Sequence, residues 1–287
     1  MRLPATFCVL SVVACGGQRS EPPKPPITVF AAASLARPLA TIAQAFEQRE
    51  GVSTLAELGG SLEQARKITE LGRTPDVLML VDDEVVAALM PTHVDWYVRF
   101  ATNRIVIAFT ARSKHADSIS AESWWRVLSK RDVSIGRADP AIAPAGKYAL
   151  AMLRRAETYL KEPGLADRLI ARASLRYVRP NATELAALLE TGEVDYILDY
   201  ESVARQYGFQ FVVLPDDLSD RILYGIAVPR VAVRSTEATR FVAFVLSEQG
   251  KRVLREANVD VLSVPVAMGS DIPPEITRLV RTATPAR

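Results

Sequence analysis

Short apolar runs alternate along this chain with segments whose apolar residues recur every three or four positions. That alternation predicts strands followed by amphipathic helices. Ile27-Thr28-Val29-Phe30 reads as a strand, and after Ala31-Ala32-Ala33-Ser34 the residues Leu35, Leu39, Ile42 and Phe46 share one helical face that closes near Gly51. Residues 52–56 predict the next strand, Gly59-Gly60-Ser61 opens a helix ending at Leu71-Gly72, and residues 76–81 and 104–110 read as buried strands. The pattern continues with strands at 133–136, 176–178, 194–198, 209–214 and 222–228, and with helices after Pro144 and from Asn181. Residues 236–257 read as one long amphipathic helix. Strands and helices in this order specify an α/β fold.

The first apolar run does not belong to that pattern. Arg2 precedes an apolar stretch over residues 3–13 that ends in Val12-Val13-Ala14-Cys15. It is too short to span a bilayer, and with small residues before a cysteine it reads as an export signal. Val-Val-Ala-Cys resembles the lipobox of bacterial lipoproteins, whose cysteine is lipidated and becomes the mature N-terminus. A buried N-terminal strand is the alternative. Pro22, Pro23, Pro25 and Pro26 argue against it, because a proline-rich stretch makes a stiff, extended spacer. Residues 1–14 are therefore expected to be a signal peptide, 15–26 a tether, and Cys15 a lipid anchor. The expected location is the cell envelope, facing the periplasm or the exterior.

Composition narrows the function. The 287 residues are 49% hydrophobic and 24% charged, which is globular. A net charge of +2 leaves no basic excess for a nucleic-acid partner. Two cysteines, both at or before residue 15, and two histidines exclude a disulfide scaffold, a Cys/His zinc site and an iron–sulfur cluster.

Chemistry concentrates where helices begin. Ser34 follows a strand as a candidate N-cap, and Ser61 with Gln64 three residues on reads as a capping box. Pro144 suits a first helical position, leaving the amides of Ala145 and Gly146 at a helix start, and Asn181 with Glu184 is a further capping pair. Each start presents unpaired N–H groups and the positive end of a helix dipole. Taken singly, each is an ordinary cap. As a converging set at the carboxyl edge of a sheet, they would cradle an anion without Lys or Arg.

At the same residues the chain resembles a known family. The run from Ile27 to Leu35, then Ala138-Asp139-Pro140 and Pro144-Ala145-Gly146-Lys147-Tyr148-Ala149, is similar to periplasmic molybdate-binding proteins. Gly60-Ser61, the run from Arg66 to Gly72, Asp95-Trp96-Tyr97, Phe100-Ala101, the run from Leu189 to Tyr196 and Tyr200-Glu201-Ser202-Val203-Ala204 are closer to the tungstate/molybdate-binding branch. The resemblance runs from about Ile27 to about Val264. It implies a two-lobed (type II) binding protein, each lobe a mostly parallel sheet flanked by helices, with two crossing strands as a hinge. The lobes would be 27–105 with 224–287, and 106–223. Such a protein captures molybdate or tungstate in the cleft and delivers it to an ABC importer permease. It would work as a monomer, without a cofactor and without catalysing a reaction.

Carried over by motif, Ser34 and Ser61 would donate from the first lobe, and Ala145 and Asn181 would donate backbone N–H from the second. The next ligand position follows the strand expected to end at Leu198. There the molybdate branch has Tyr, the tungstate branch has Glu, and this chain has Asp199. A carboxylate repels a dianion unless it is protonated or binds the metal centre itself. The tungstate branch uses a second carboxylate just before the motif's Pro, where this chain has Ala143. Tetrahedral capture by hydrogen bonds and octahedral capture with Asp199 as a direct metal ligand both remain open.

Other residues carry less. His93 and His115 fall in predicted loops without a nucleophile partner, Trp124-Trp125 reads as helix packing, and Arg172, Arg176 and Arg179 read as a solvated face. Two further readings stand beside the first: a binding protein for sulfate or phosphate on the same scaffold, and an enzyme, for which no acid/base or nucleophile set is present.

Overall fold

The computed structural model describes residues 25–283; the Val-Val-Ala-Cys run, Cys15 and most of the proline-rich stretch lie outside the described residues. The strands are β1 (Ile27–Ala32), β2 (Thr54–Gly59), β3 (Val77–Val81), β4 (Trp96–Asn103), β5 (Ile105–Phe109), β6 (Ile135–Ala138), β7 (Val178–Arg179), β8 (Tyr196–Tyr200), β9 (Gln210–Val212), β10 (Ile222–Ala227), β11 (Asp260–Gly269) and β12 (Arg281–Thr282). Between them run α1 (Ala36–Glu50), α2 (Ser61–Thr69), α3 (Asp83–Ala87), α4 (Trp124–Leu128), α5 (Pro144–Leu160), α6 (Leu165–Arg172), α7 (Ala182–Thr191), α8 (Glu201–Tyr207), α9 (Ser235–Leu246), α10 (Glu248–Glu256) and α11 (Pro274–Thr277).

The strands form two sheets. One has seven strands in the order β12-β11-β4-β10-β3-β1-β2, and the other has five in the order β7-β6-β8-β5-β9. Both are mixed, not mostly parallel. β1 pairs in parallel with β2 and β3, whereas β10 runs antiparallel to β3 and β4. In the smaller sheet β6 is parallel to β7 and β8, and β5 is antiparallel to β8 and β9. The antiparallel pairs involve β4, β5, β9 and β10, which adjoin the crossings, and β11, which pairs antiparallel with β4.

The chain leaves the first sheet at Arg104, between β4 and β5, and re-enters it at Ile222. Ile105 thus sits in the smaller sheet, and Ile222 and Leu223 in the larger, one or two residues from the borders expected at 105/106 and 223/224. The predicted face of α1 is buried, with Leu39, Ile42 and Phe46 inside and Gly51 closing the helix in the left-handed conformation. Phe46 meets Phe241 of α9 edge to face, at 5.1 Å between ring centroids.

Two expected elements need correction. Residues 236–257 are two helices, because Ser247 is extended (φ −68°, ψ 162°) and its hydroxyl caps α10 by accepting from the Gly250 N–H at 3.1 Å. Gly250, in the first turn of α10, packs so closely against the end of α9 that a Cβ on it would lie 2.1 Å from the Phe244 carbonyl oxygen. The strand expected at 176–178 begins only at Val178, after a 3-10 turn over Leu175–Tyr177. β4 and β11 lack simple alternation and were not predicted. β4 lies between β10 and β11 inside the sheet and is buried on both faces, which removes the period-two signal.

Candidate functional site

The carboxyl ends of β1 and β3 and the starts of α2, α5 and α7 meet at a small cavity of about 10 Å³, room for about one water molecule. The larger sheet contributes Ala32, Ala33, Ser34, Gly59, Gly60, Ser61 and Val81. From the smaller sheet come Ala143, Pro144, Ala145, Asn181, Ala182 and Tyr200. No Lys, Arg, Asp or Glu lines it. Four of the five sequence-predicted residues, Ser34, Ser61, Ala145 and Asn181, are thus brought together.

Their local roles differ from the expected caps. Ser34 lies in a 3-10 turn over Ala33–Leu35 and caps nothing; its buried hydroxyl has no hydrogen-bond partner, although Tyr224 lies beside it. Ser61 is the first residue of α2, with Gly60 at the N-cap and Glu63, not Gln64, reaching back to the Gly60 N–H at 3.3 Å. Gln64 instead turns inward and donates to the Glu57 carbonyl at 3.0 Å. The Ser61 hydroxyl accepts from the Val81 N–H at 3.1 Å. Since that bond uses a lone pair, its own hydrogen is free for an acceptor in the cavity. Pro144 occupies the first turn of α5 after Ala143, and Asn181 caps α7 by accepting from the Glu184 N–H at 3.0 Å. In α5 the Gly146 N–H donates to the Ala143 carbonyl at 3.0 Å and Pro144 has none, so of the two amides expected at that start Ala145's is the one left. Helix starts of this kind turn N–H groups and dipole ends to the cavity.

Asp199 does not line the cavity; its neighbour Tyr200 does. β8 runs through Tyr200, two residues past the expected end at Leu198. Successive residues of a strand face opposite sides, so Tyr196, Leu198 and Tyr200 share one face and Asp199 takes the other. Tyr200 is the functional candidate that the sequence reading missed, and extending the period of two to the end of the apolar run would have found it. Its buried hydroxyl has no partner, and burial, with Tyr224 and Asp199 nearby, raises its pKa well above the ordinary tyrosine value. It therefore stays protonated and can donate. Asp199 itself is fully buried one residue behind the wall. Its Oδ1 accepts from the Tyr200 N–H at 2.8 Å and its Oδ2 has no partner. Burial pushes its pKa up to about 8.

Three orphaned buried oxygens, on Ser34, Asp199 and Tyr200, thus gather at or beside one cavity. Buried polar atoms are nearly always partnered, so a cluster of exceptions points to a missing partner. The two sheets' helices also touch around the cavity. Thr183 donates to the Ala33 carbonyl at 3.1 Å, Gln206 donates to the Ser34 carbonyl at 3.2 Å, and the Arg37 guanidinium lies 4.2 Å over the Tyr207 ring. Gly60 makes the closest approach, since a Cβ there would lie 2.4 Å from the Ile142 carbonyl oxygen.

The remaining candidates lie elsewhere. His115 bridges Asp132 and Lys130 on the surface, at 3.1 Å to each. Trp124 is buried in the core, and Arg172 donates to backbone carbonyls of Lys130 and Val133. Among the described residues no group of three or more His, Cys, Asp or Glu could hold a metal ion, and no helix is long and apolar enough to cross a membrane.

The family described as bacterial extracellular solute-binding protein matches residues 27–257. A molybdate/tungstate-binding protein, WtpA, of Pyrococcus abyssi is 30% identical, over 97% of this chain and 96% of its own. In three dimensions the chain is similar to the periplasmic molybdate-binding protein of Azotobacter vinelandii, with a TM-score of 0.67 at 15% identity over 83% of this chain and 100% of that one. It is also similar to the sulfate-binding protein SubI of Mycobacterium tuberculosis, with a TM-score of 0.69 at 18% identity over 84% and 88% of the two chains.

Proposed function

Because the chain belongs to the bacterial extracellular solute-binding protein family, we propose that it binds a tetrahedral oxyanion, molybdate or tungstate, between its two sheets and hands it to an ABC importer. One observation carries this reading: the cavity is walled by helix starts and hydroxyls from both sheets and holds no charged side chain, while two of its hydroxyls, on Ser34 and Tyr200, are buried without partners. Such a wall suits a fully deprotonated anion, which can only accept. The WtpA relative supports the metal oxyanions in particular.

The donors in this reading are the hydroxyls of Ser34, Ser61 and Tyr200 and the amides at Ala145 and Asn181. Ala143 lines the cavity where a carboxylate could have stood, and Asp199 stands behind the wall. Both observations favour a hydrogen-bonded tetrahedral ion over a carboxylate-ligated octahedral one. A four-oxygen anion needs more room than one water, so uptake requires the two halves to part. Residues 27–103 with 222–283, and 105–219, would be the moving lobes. The site has no acid/base pair or nucleophile, which supports a carrier and not an enzyme. The N-terminal run 1–14, with Cys15, would export and anchor the carrier at the membrane surface, where the permease is.

Calorimetry with molybdate, tungstate, sulfate and phosphate tests the reading. Molybdate or tungstate should bind with the highest affinity and raise the melting temperature by mass action. Binding of sulfate alone would reassign the ligand, and binding of none of the four would remove the function. Ser34→Ala is the sharper probe. Its hydroxyl has Tyr224 beside it but no well-formed hydrogen bond, so its loss should lower the unliganded melting temperature little. Affinity should fall roughly ten- to a hundredfold, since a hydrogen bond to a charged group contributes about 1.5–3 kcal/mol. An unaltered affinity in that variant would take Ser34 out of the site.

A further inference from the structure

We propose that Asp82 and Lys147 form a latch across the cleft that sets how long the bound ion stays, without either residue touching it. Asp82 follows Val81, the cavity residue whose N–H is bonded to the Ser61 hydroxyl. Lys147 and Tyr148 follow Pro144-Ala145-Gly146 in the opposite wall. Lys147 Nζ lies 3.4 Å from Asp82 Oδ2 and 3.1 Å from Glu84 Oε2. The contact therefore joins the residues immediately behind the two ligand walls, on opposite sides of the cleft.

The turn that carries Asp82 is built to present it. Three acidic residues in a row, Asp82-Asp83-Glu84, each have a different task. Asp83 faces its own sheet, where its Oδ2 accepts from Arg99 Nε at 2.5 Å and from the Tyr97 hydroxyl at 3.1 Å. This anchors the turn to β4. Asp82 divides its two oxygens: Oδ1 caps α3 by accepting from the Glu84 N–H at 3.2 Å, and Oδ2 faces the other half. Its backbone is left-handed, at φ 69° and ψ 96°, a conformation that non-glycine residues adopt at a cost. Strain of this kind persists where the surroundings demand it. Glycine would relieve it but could not reach Lys147. Asp82 is also almost fully buried, while Lys147 is half exposed. Burial raises the Asp82 pKa despite the lysine, and Tyr148 faces the same carboxyl. When the halves part, Asp82 loses Lys147 and gains water, so the pair exists only in the closed arrangement.

The latch rests on the oxyanion reading for its effect on ligand, but not for its effect on closure. Stopped-flow release of molybdate should therefore be measured together with small-angle scattering of the unliganded protein. Lys147→Met keeps the helix and the aliphatic stem while removing the charge; Asp82→Asn keeps the cap acceptor. Each should speed release about three- to tenfold and change the association rate by less than about twofold, since a closed-state contact acts on dissociation. The double variant should release no faster than Lys147→Met alone, because that change already removes the lysine's contacts to both Asp82 and Glu84. A purely structural role for Asp82 would give independent, additive effects. Unliganded Lys147→Met should also show a larger radius of gyration than wild type, with an unchanged melting temperature. Wild-type release rates in both single variants, or additive effects in the double, would overturn the latch. If the wild type binds no oxyanion at all, the proposed function fails, and an unchanged radius of gyration in Lys147→Met would then overturn the latch by itself.

Discussion

Gly60→Ala is expected to cut affinity for the oxyanion roughly five- to a hundredfold while leaving the unliganded protein folded. Gly60 sits at φ −67° and ψ 140°, a conformation alanine adopts freely, so the N-cap of α2 tolerates the change. The added methyl would nevertheless lie 2.4 Å from the Ile142 carbonyl oxygen and 2.9 Å from its Cγ2, both on the far side of the cleft. Those atoms belong to backbone and to a branched side chain, so neither can step aside cheaply. Overpacking of this kind costs about 1–3 kcal/mol or more, and here the whole cost falls on the closed state. About 2.7 kcal/mol corresponds to a hundredfold. Calorimetry and thermal melting of the variant are the paired measurements. Wild-type affinity would mean that binding does not need Gly60 pressed against Ile142.

The second large effect concerns pH. With its pKa at about 8, Asp199 is mostly protonated at neutral pH and ionises above it. An ionised carboxylate one residue behind Tyr200, in a site without cations, opposes a dianion through a medium that screens little. Binding should then require a proton on Asp199, and affinity should fall up to about tenfold per pH unit above pH 8. Asp199→Asn should remove that fall. Affinity that instead rises towards pH 8 and is lost in Asp199→Asn would show the carboxylate binding the metal directly, and would overturn tetrahedral capture. The same group shapes stability. Its proton is held more tightly in the folded state than in the unfolded chain, so its stabilising contribution is complete below about pH 4. That contribution is lost as pH rises through about 8, at up to about 1.4 kcal/mol per unit. Asp199→Asn should accordingly melt higher than wild type at pH 9.

Much of the fold is legible in the sequence. The amphipathic face of α1 and the helix starts at Pro144 and Asn181 follow from spacing and capping chemistry, which are local; Ser34 and Ser61, which cap no helix, follow only from the family resemblance. What stayed hidden is non-local. β4 has no alternation because both its faces are covered, and the sheets are mixed because of how the chain crosses between them. Tyr200 is hidden for a different reason: the apolar run ends at Leu198, two residues before β8 does, so the sequence pattern points to the carboxylate behind the wall. The latch could not be read either. Asp82 and Lys147 are 65 positions apart, and their juxtaposition depends on two sheets meeting.

The cavity's lack of basic side chains has a consequence for capture in natural waters. A site that draws anions by net positive charge loses its pull as background electrolyte rises, because mobile counter-ions neutralise the field beyond about a Debye length. In the proposed site, whose lining holds no charged side chain, the attraction would come from fixed dipoles acting at hydrogen-bond range. Brine and fresh water should look nearly alike to such a binder. The corollary is a modest encounter rate, since nothing on the wall reaches out to steer the ion in. A carrier of this design trades speed of finding its cargo for indifference to the salinity around it.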